Sequence, residues 1–342
     1  ASLTKNEFSK MVSDIREIES ALGGSKRKLS QGEMINRENL AKSLVSSRNI
    51  KKGEIIKADD IKVRSPGQGL SPQYFEDLVG REIDHEMKEE DFFFQSDLGN
   101  MRVEPRDYLF SRPWGVPVRY HDFEEYNKKI NSSLYEFHLS YSDMELDISK
   151  YLSGPYKNDF VVHAPELFEG SMLLDLATPD SKYRNQSIGY MQKVINITRE
   201  LKNYFPKTEK PMIVTNIGGF SMDSNFSDEE VREGYEIFKN SLEELDSSGV
   251  EIIPQTMAPF PWHFGGQRYQ NLFVHSNEIV DWCKKLNLRM CFDLSHSSLT
   301  CNHFHYDFYK FCKEVAPYSA HLHLGDAAGV NGEGLQIGEG DI

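Results

Sequence analysis

The sequence predicts an α/β protein in two parts, a small β domain followed by a (β/α)8 TIM-type barrel that stops after about seven strands. Three observations point there. Short strands separated by turn residues fill the region from Ser43 to about residue 100, strands alternate with long helical patterns from about residue 105 onward, and the later strands end in polar side chains. Met290-Cys-Phe-Asp-Leu-Ser-His296 and Ala320-His-Leu-His-Leu-Gly-Asp326 show the last feature best. Each is an apolar strand opening into polar residues at its C-terminal end, where parallel sheets and barrels put their chemistry.

Composition narrows the classes. At 342 residues there is room for about two domains, since a barrel alone takes about 250. The 39% hydrophobic and 12% aromatic contents are globular values, and no apolar run approaches the roughly 18 residues of a membrane span. Cys283, Cys291, Cys301 and Cys312 fall in one stretch without CxxC spacing, and the chain shows no secretory signal. They read as reduced thiols, mostly core, in a cytoplasmic protein. The net charge of −14 repels phosphate backbones and no basic stripe offsets it, so neither nucleic acid nor membrane is an expected partner. The chain opens Ala-Ser-Leu and stops at Gly340-Asp341-Ile342, where another strand is expected, so we expect an internal piece of a longer protein.

Thr4-x-x-Glu7 is a capping box, followed by Phe8, Met11, Val12, Ile15, Ile18 and Leu22 at helical spacing until Gly23-Gly24 ends the run. Residues 24–41 are polar and aperiodic, a linker or wrapping arm. Asn49-Ile-Lys-Lys-Gly-Glu-Ile-Ile-Lys-Ala-Asp-Asp-Ile61 is echoed by Glu86-Met-Lys-Glu-Glu-Asp-Phe-Phe-Phe-Gln-Ser-Asp-Leu98, and an internal duplication is the simplest account. Between the echoes lie a Pro/Gly loop, Val63 to Pro72, and a short helix, Tyr74 to Val79, ended by Gly80. Met101 to Pro105 is a boundary by its change of texture. Beyond it, strands are expected at 116–120, 134–140, 160–165, 212–218, 250–257, 288–295 and 320–325. Helices are expected at 187–204, at 228–246 after the Ser227-x-x-Glu230 capping box, at 276–286 and at about 303–316. An open doubly wound sheet is the alternative, but no GxGxxG follows a first strand.

The strand ends carry Glu136 and His138, His163, Asn216, Gln255, Asp293 and His296, His323 and Asp326, where Leu, Val and Ile would serve mere packing. Hydrogen-bonded strand caps are the plain account of any one of these. D-x-x-H followed by H-x-H on consecutive strands points instead to an oxygen and imidazole first shell for a divalent metal, which polarises a sugar carbonyl or activates water.

Two resemblances rest on particular runs. Ser43-Leu-Val-Ser-Ser-Arg-Asn-Ile-Lys-Lys-Gly-Glu, Val63-Arg-Ser-Pro-Gly-Gln-Gly-Leu-Ser-Pro and Leu78-Val-Gly-Arg resemble the antifreeze-like (SAF) β-clip domain that ends the sialic and related nonulosonic acid synthases. The resemblance divides the chain into a linker helix and arm (1–41), a SAF domain (42–100) and a barrel (105–342). In that family the SAF domain reaches across a homodimer, and an arginine immediately before Pro-Gly helps bind the amino sugar. Here that place is Ser65, with Arg64 one position earlier. The family's condensing barrel would precede residue 1, so this chain alone is not expected to condense.

Val162-His-Ala-Pro165, Cys291-Phe-Asp-Leu-Ser-His296, His321-Leu-His-Leu-Gly-Asp326 and Gly338-Glu-Gly-Asp-Ile342 resemble the xylose-isomerase-like superfamily of sugar isomerases, epimerases and endonuclease IV. That resemblance implies a sugar or sugar-phosphate substrate and a divalent metal (Mn, Zn, Co or Mg) on Gln255, Asp293 and His323. It assigns Glu136, His138 and His296 to catalysis and His163, Asn216 and Asp326, with Arg64, to substrate binding. Gln255 stands where a carboxylate is usual, and Asn216 where nuclease-type members have a metal histidine. The combined expectation is a SAF domain of a nonulosonic acid synthase-like enzyme fused to an isomerase/epimerase-like barrel. A non-catalytic sugar-binding or dimerisation barrel is the alternative, and a metal-dependent phosphodiesterase is disfavoured by the acidity and by Asn216.

Overall fold

The chain starts in helix α1 (Lys5–Leu22), whose first turn closes as the sequence requires. Glu7 Oε2 accepts the Thr4 N–H at 2.7 Å, and the Glu7 N–H is donated to Thr4 Oγ1 at 3.3 Å. The computed structural model describes residues 3–22, 40–67, 69–98, 110–222, 224–261, 268–330 and 332–335, with 337 and 342. Most of the expected arm, the 101–105 boundary and Gly338 to Asp341 lie outside the described residues. Two compact units emerge, Ala1–Leu98 and Gly99–Ile342. Among the described residues no helix is long and apolar enough to cross a membrane. All four cysteines are free thiols and three are buried.

In the first unit, β1 (Ser43–Ser46) pairs antiparallel with β2 (Ile61–Arg64), and a short helix, α2 (Phe75–Leu78), ends at Gly80 with φ of +85°. The sequence echo is real in three dimensions. Ile50 and Met87, equivalent positions 37 residues apart, face each other and exchange both backbone hydrogen bonds at 2.9 Å. Asp60 accepts the Lys57 N–H at 3.0 Å, and its equivalent Asp97 accepts the Phe94 N–H at 2.8 Å. Even the left-handed position repeats, as Gly53 at φ +88° and Glu90 at φ +70°. Equivalent Ile56 and Phe93 are both buried in one small core with Leu44, Ile50, Leu78, Ile83 and Met87. Each half covers the apolar face that the other cannot cover alone.

The second unit is built on parallel strands. β3 (Gly115–Val118), β4 (Leu134–His138), β5 (Asp159–His163), β6 (Met212–Thr215) and β7 (Glu251–Pro254) form one sheet in chain order. A parallel bridge from Gln255 to Cys291 carries the order on to β8 (Met290–Asp293), which pairs with β9 (Ser319–His323). These are the seven strands expected from the sequence, trimmed at their ends, and among the described residues none closes β9 onto β3. Helices α3 (Tyr120–Lys129), α4 (Ser181–Leu201), α5 (Asp228–Glu244) and α6 (Ser276–Leu286) follow their strands. The Ser227–Glu230 capping box opens α5 as expected. Helix α3 was not in the expected set, nor was α7 (Leu294–Phe304), while the helix expected at about 303–316 is the shorter α8 (Phe308–Val315). His305, at φ +58°, separates them. The start of α7 is unreadable by periodicity because Ser295, Ser297, Ser298 and Thr300 on it are all buried.

Strand side chains alternate between two destinations. Tyr135, Phe137, Phe160, Val162, Ile213, Ile252, Met290 and Phe292 join the large core beneath the helices. Val161, Val214, Ile253 and Cys291, packed by Leu134, Met212 and Ala320, plug the interior. Two residues further toward the strand ends come Glu136, His163, Asn216, Gln255 and Asp293, and on β9 His321 and His323 stand opposite Cys291 and Asp293.

Phe205 anchors the outer layer, fully buried with ring centroids 5.6 Å from Phe123, 5.6 Å from Phe137 and 5.0 Å from Phe160. Phe205→Ala is expected to lower the unfolding free energy of this unit by about 3–5 kcal/mol. All three tryptophans lie beyond residue 98, so denaturant unfolding followed by tryptophan fluorescence reads this unit alone. A loss below about 1 kcal/mol would mean that the cavity collapses.

Candidate functional site at the barrel mouth

Glu136 on β4 sits among the imidazoles of β9. Its Oε2 lies 2.8 Å from His321 Nε2 and 2.9 Å from His323 Nε2. His321 and His323 are two apart on a strand and therefore share a face. On the other side of His323, Nδ1 is 3.4 Å from Asp293 Oδ2, and that oxygen accepts the Gln255 Nε2–H at 3.0 Å. Gln255 Oε1 is turned away to His163 Nε2 at 3.0 Å, while His163 Nδ1 faces the Ala164 carbonyl at 2.9 Å. The His138 ring stacks on His163 with centroids 4.2 Å apart. Glu136, His138, His163, Gln255, Asp293 and His323 are thus one connected cluster.

His296 joins it from α7. Asp293 caps that helix, its Oδ1 accepting the His296 N–H at 2.9 Å. The His296 ring lies between two acceptors, the Thr256 carbonyl 2.8 Å from Nδ1 and Glu333 Oε1 3.1 Å from Nε2. Glu333 arrives on a hairpin, β10 (Asp326–Ala328) and β11 (Gly332–Leu335), that the sequence reading did not contain. Gly334 ties the hairpin to α7 by donating to Ser295 Oγ at 2.8 Å.

Three assigned residues stand outside the cluster. Asn216 accepts the Gly218 N–H at 2.9 Å and lies 3.4 Å from Gln270, where it supports the turn after β6. That turn needs its glycines, because a Cβ on Gly218 would fall 1.9 Å from Asp175 Oδ1. Asp326 accepts the N–H groups of Ala327 at 2.9 Å and Ile342 at 3.1 Å. Arg64 belongs to the first unit, half-exposed, with Nε 3.4 Å from Glu90 Oε2. His321 was not among the expected site residues, although the period of two that aligns His323 places it on the same face. Nothing local in the sequence marks Glu333.

Charge in the cluster is polarised. Burial pushes the Glu136 carboxyl up, but the imidazoles of His323 and His321 more than offset it, so the group stays well below the usual carboxylate range. Burial likewise opposes ionisation of Asp293, yet His296 and His323 bring it to about 2. His296 is raised to about 10, because Asp293 and Glu333 outweigh the burial that would lower it. Burial and the neighbouring His163 depress His138 to about 3. Among the described residues, Glu136, His321 and His323 form one group able to hold a metal ion, with one ligand atom from each within 4.8 Å of the others. A carboxylate oxygen and two imidazole nitrogens suit Zn, Mn or Co. Gln255 fits less well, since its amide nitrogen, which has no free lone pair, points at Asp293.

His296 holds its proton to about 10 in the folded protein against an ordinary 6.5, so its contribution to stability is complete below pH 6.5 and is lost as pH rises toward 10. Asp293 behaves oppositely. Its contribution is complete above its ordinary 3.8 and is lost as pH falls toward about 2. The metal-free protein is therefore expected to show a falling melting temperature between pH 6.5 and 10, and His296→Gln a flatter one. An unchanged slope would mean that His296 is neutral when folded.

Comparison with known proteins agrees with the two units. The profile described as SAF domain matches residues 41–98, and the profile described as xylose isomerase-like TIM barrel matches residues 125–342. Over the SAF region the chain is 38% identical to pseudaminic acid synthase of Campylobacter jejuni across 97 residues, 28% of each protein. It is also 33% identical to N,N'-diacetyllegionaminic acid synthase of the same species across 91 residues, 27% of each. The chain therefore spans little more than a quarter of the length of these relatives. Among solved structures, a D-tagatose 3-epimerase-like protein superposes with a TM-score of 0.52 at 21% identity, covering 68% of this chain and 82% of that one. With its family profile spanning well over half of the residues, the chain belongs to the xylose isomerase-like TIM barrel family and carries a SAF domain ahead of that barrel.

Proposed function

We propose that this chain is part of a nonulosonic (sialic-type) acid biosynthesis protein in which the SAF unit serves the synthase reaction and the barrel is an isomerase- or epimerase-class site for a sugar or sugar phosphate. The observation that carries the barrel reading is its mouth, where ionised Glu136 and Asp293 flank His323 above an apolar plug. Chemistry of that class removes a proton from the carbon beside a carbonyl and answers the charge that develops on oxygen. A divalent ion held by Glu136, His321 and His323 would supply the polarisation. His138 offers a neutral ring nitrogen, because burial keeps it unprotonated down to about pH 3, and we assign it the proton-accepting role. Asp293 orients His323, and charged His296 anchors the Glu333 hairpin over α7.

Two observations favour a second reading, a barrel that binds sugar without turning it over. Gln255 replaces a carboxylate, and a base at about 3 is far from the neutral range where proton transfer is most efficient. Nuclear magnetic resonance in heavy water separates the readings. Turnover predicts deuterium entering the carbon next to the carbonyl of an aldose, ketose or amino sugar, with exchange about 100-fold slower in His138→Gln. Saturable sugar binding without exchange would establish the second reading.

Arg64 tests the SAF half. It ends β2 immediately before Ser65-Pro66, exposed and only loosely paired with Glu90. In the protein carrying the synthase barrel, Arg64→Ala is expected to raise the KM for the amino sugar with kcat little changed. Unchanged KM would remove Arg64 from substrate binding.

A further inference from the structure

We propose that, given the sugar-site reading of the barrel mouth on which this rests, Arg119 anchors an anionic group of the bound sugar, a phosphate or a carboxylate. The substrate class narrows accordingly to sugars that carry such a group.

Strand register brings Arg119 to the mouth. It directly follows β3, which pairs with β4 so that Pro117 stands opposite Glu136 and Val118 opposite Phe137. One step further along, Arg119 is level with His138. Val116 and Val118 belong to the core beneath the helices, so by alternation Pro117 and Arg119 face the interior, as Glu136 and His138 do. The backbone at Arg119 is still extended, with φ of −111° and ψ of 171°, so the alternation holds through it. After burial and His163, the Arg119 charge is a further influence that keeps His138 unprotonated, in keeping with that placement.

The guanidinium is held in place without being used up. Nη1 donates to Asp143 Oδ2 at 2.5 Å, and the same oxygen accepts the Ser140 N–H and hydroxyl, both at 2.7 Å. The Asp143 side chain is only 10% exposed, whereas that of Arg119 is 35% exposed. With Nη1 pinned, the edge made by Nε and Nη2 remains, and it makes no hydrogen bond among the described residues. That edge is the two-pronged donor that matches paired oxygens of a phosphate or carboxylate.

Charge at the mouth favours the same role. Ionised Glu136 and Asp293 repel an anion that enters the barrel. Among the described residues no other arginine or lysine stands at an inward strand end. The histidines there carry charge only as their protons allow, but a guanidinium stays charged at any working pH. Arg119 therefore offsets the repulsion on the β3 side, and an anionic sugar binds with its charged group there.

The full chain is titrated calorimetrically with inorganic phosphate, fructose 6-phosphate and glucuronate, and with the neutral parents fructose and glucose. Wild type is expected to bind at least one sugar anion about 10-fold or more tightly than its neutral parent, and the ratio is expected to shrink as salt rises. A larger ratio for fructose 6-phosphate assigns a phosphate, and a larger one for glucuronate a carboxylate. Arg119→Gln is expected to bring the ratio close to one, and Arg119→Lys, which keeps the charge without the fork, to leave part of it. Because Arg119→Gln leaves Asp143 buried and unpaired, the double variant Arg119→Gln/Asp143→Asn is measured beside it, with circular dichroism confirming that each is folded. No saturable binding of any of the three anions by wild type overturns the proposal. So does an anion preference that survives in the folded Arg119→Gln or double variant. Absence of deuterium exchange with the anion preference intact overturns the reaction and leaves the anchor standing, and exchange without any anion preference does the reverse.

Discussion

An ionised carboxylate inside a barrel is costly unless it is paired and hydrogen-bonded, and at Glu136 that constraint shapes everything around it. One oxygen receives two imidazoles from β9. The carboxylates hold the His323 proton well above the usual imidazole range despite burial, and Asp293 faces that ring from the side away from Glu136. Asp293 in turn needs donors, which the Gln255 amide and the first turn of α7 provide. Gln255 hands the chain of contacts on to His163. Removing one partner leaves the next buried and unsatisfied, so the cluster stands or falls as a unit.

The cluster also fixes strand register. A slip of β9 by one residue would turn His321 and His323 outward and bring Ala320 and Leu322 to face Glu136. The irregularity between Met290 and Cys291 sets His321 opposite Cys291 and His323 opposite Asp293. Polar specification at the mouth thus complements the apolar plug below it, where Val161, Val214 and Ile253 are close in size and discriminate register poorly.

Much of this was legible in the sequence, and for identifiable reasons. The seven strands were visible because each is an apolar run bounded by turn residues, and α6 was placed to the residue by its 3.6 periodicity. The duplication in the first unit was visible because turn residues recur at a fixed offset. What escaped had no local signature. Helix α7 buries Ser297 against the Thr256 hydroxyl and Thr300 against the Met257 carbonyl, so its pattern is not amphipathic. Glu333 acts through a hairpin whose place over His296 is set by tertiary structure. That Gln255 would offer its nitrogen to Asp293 depends on what lies on either side of it, which residue type alone does not decide.

The duplicated first unit has a consequence for how it assembles. Its cross-links are nested: Ile55 faces Glu82, Ile50 faces Met87, and Val45 faces Phe92. Closing the innermost loop costs the most chain entropy per contact, and each later link adds only a few residues on either side. The least costly order of closure therefore runs outward from Ile55 and Glu82, and the order of loosening runs inward from Val45 and Phe92. Each of these links joins one half to the other, so neither half can make any of them alone.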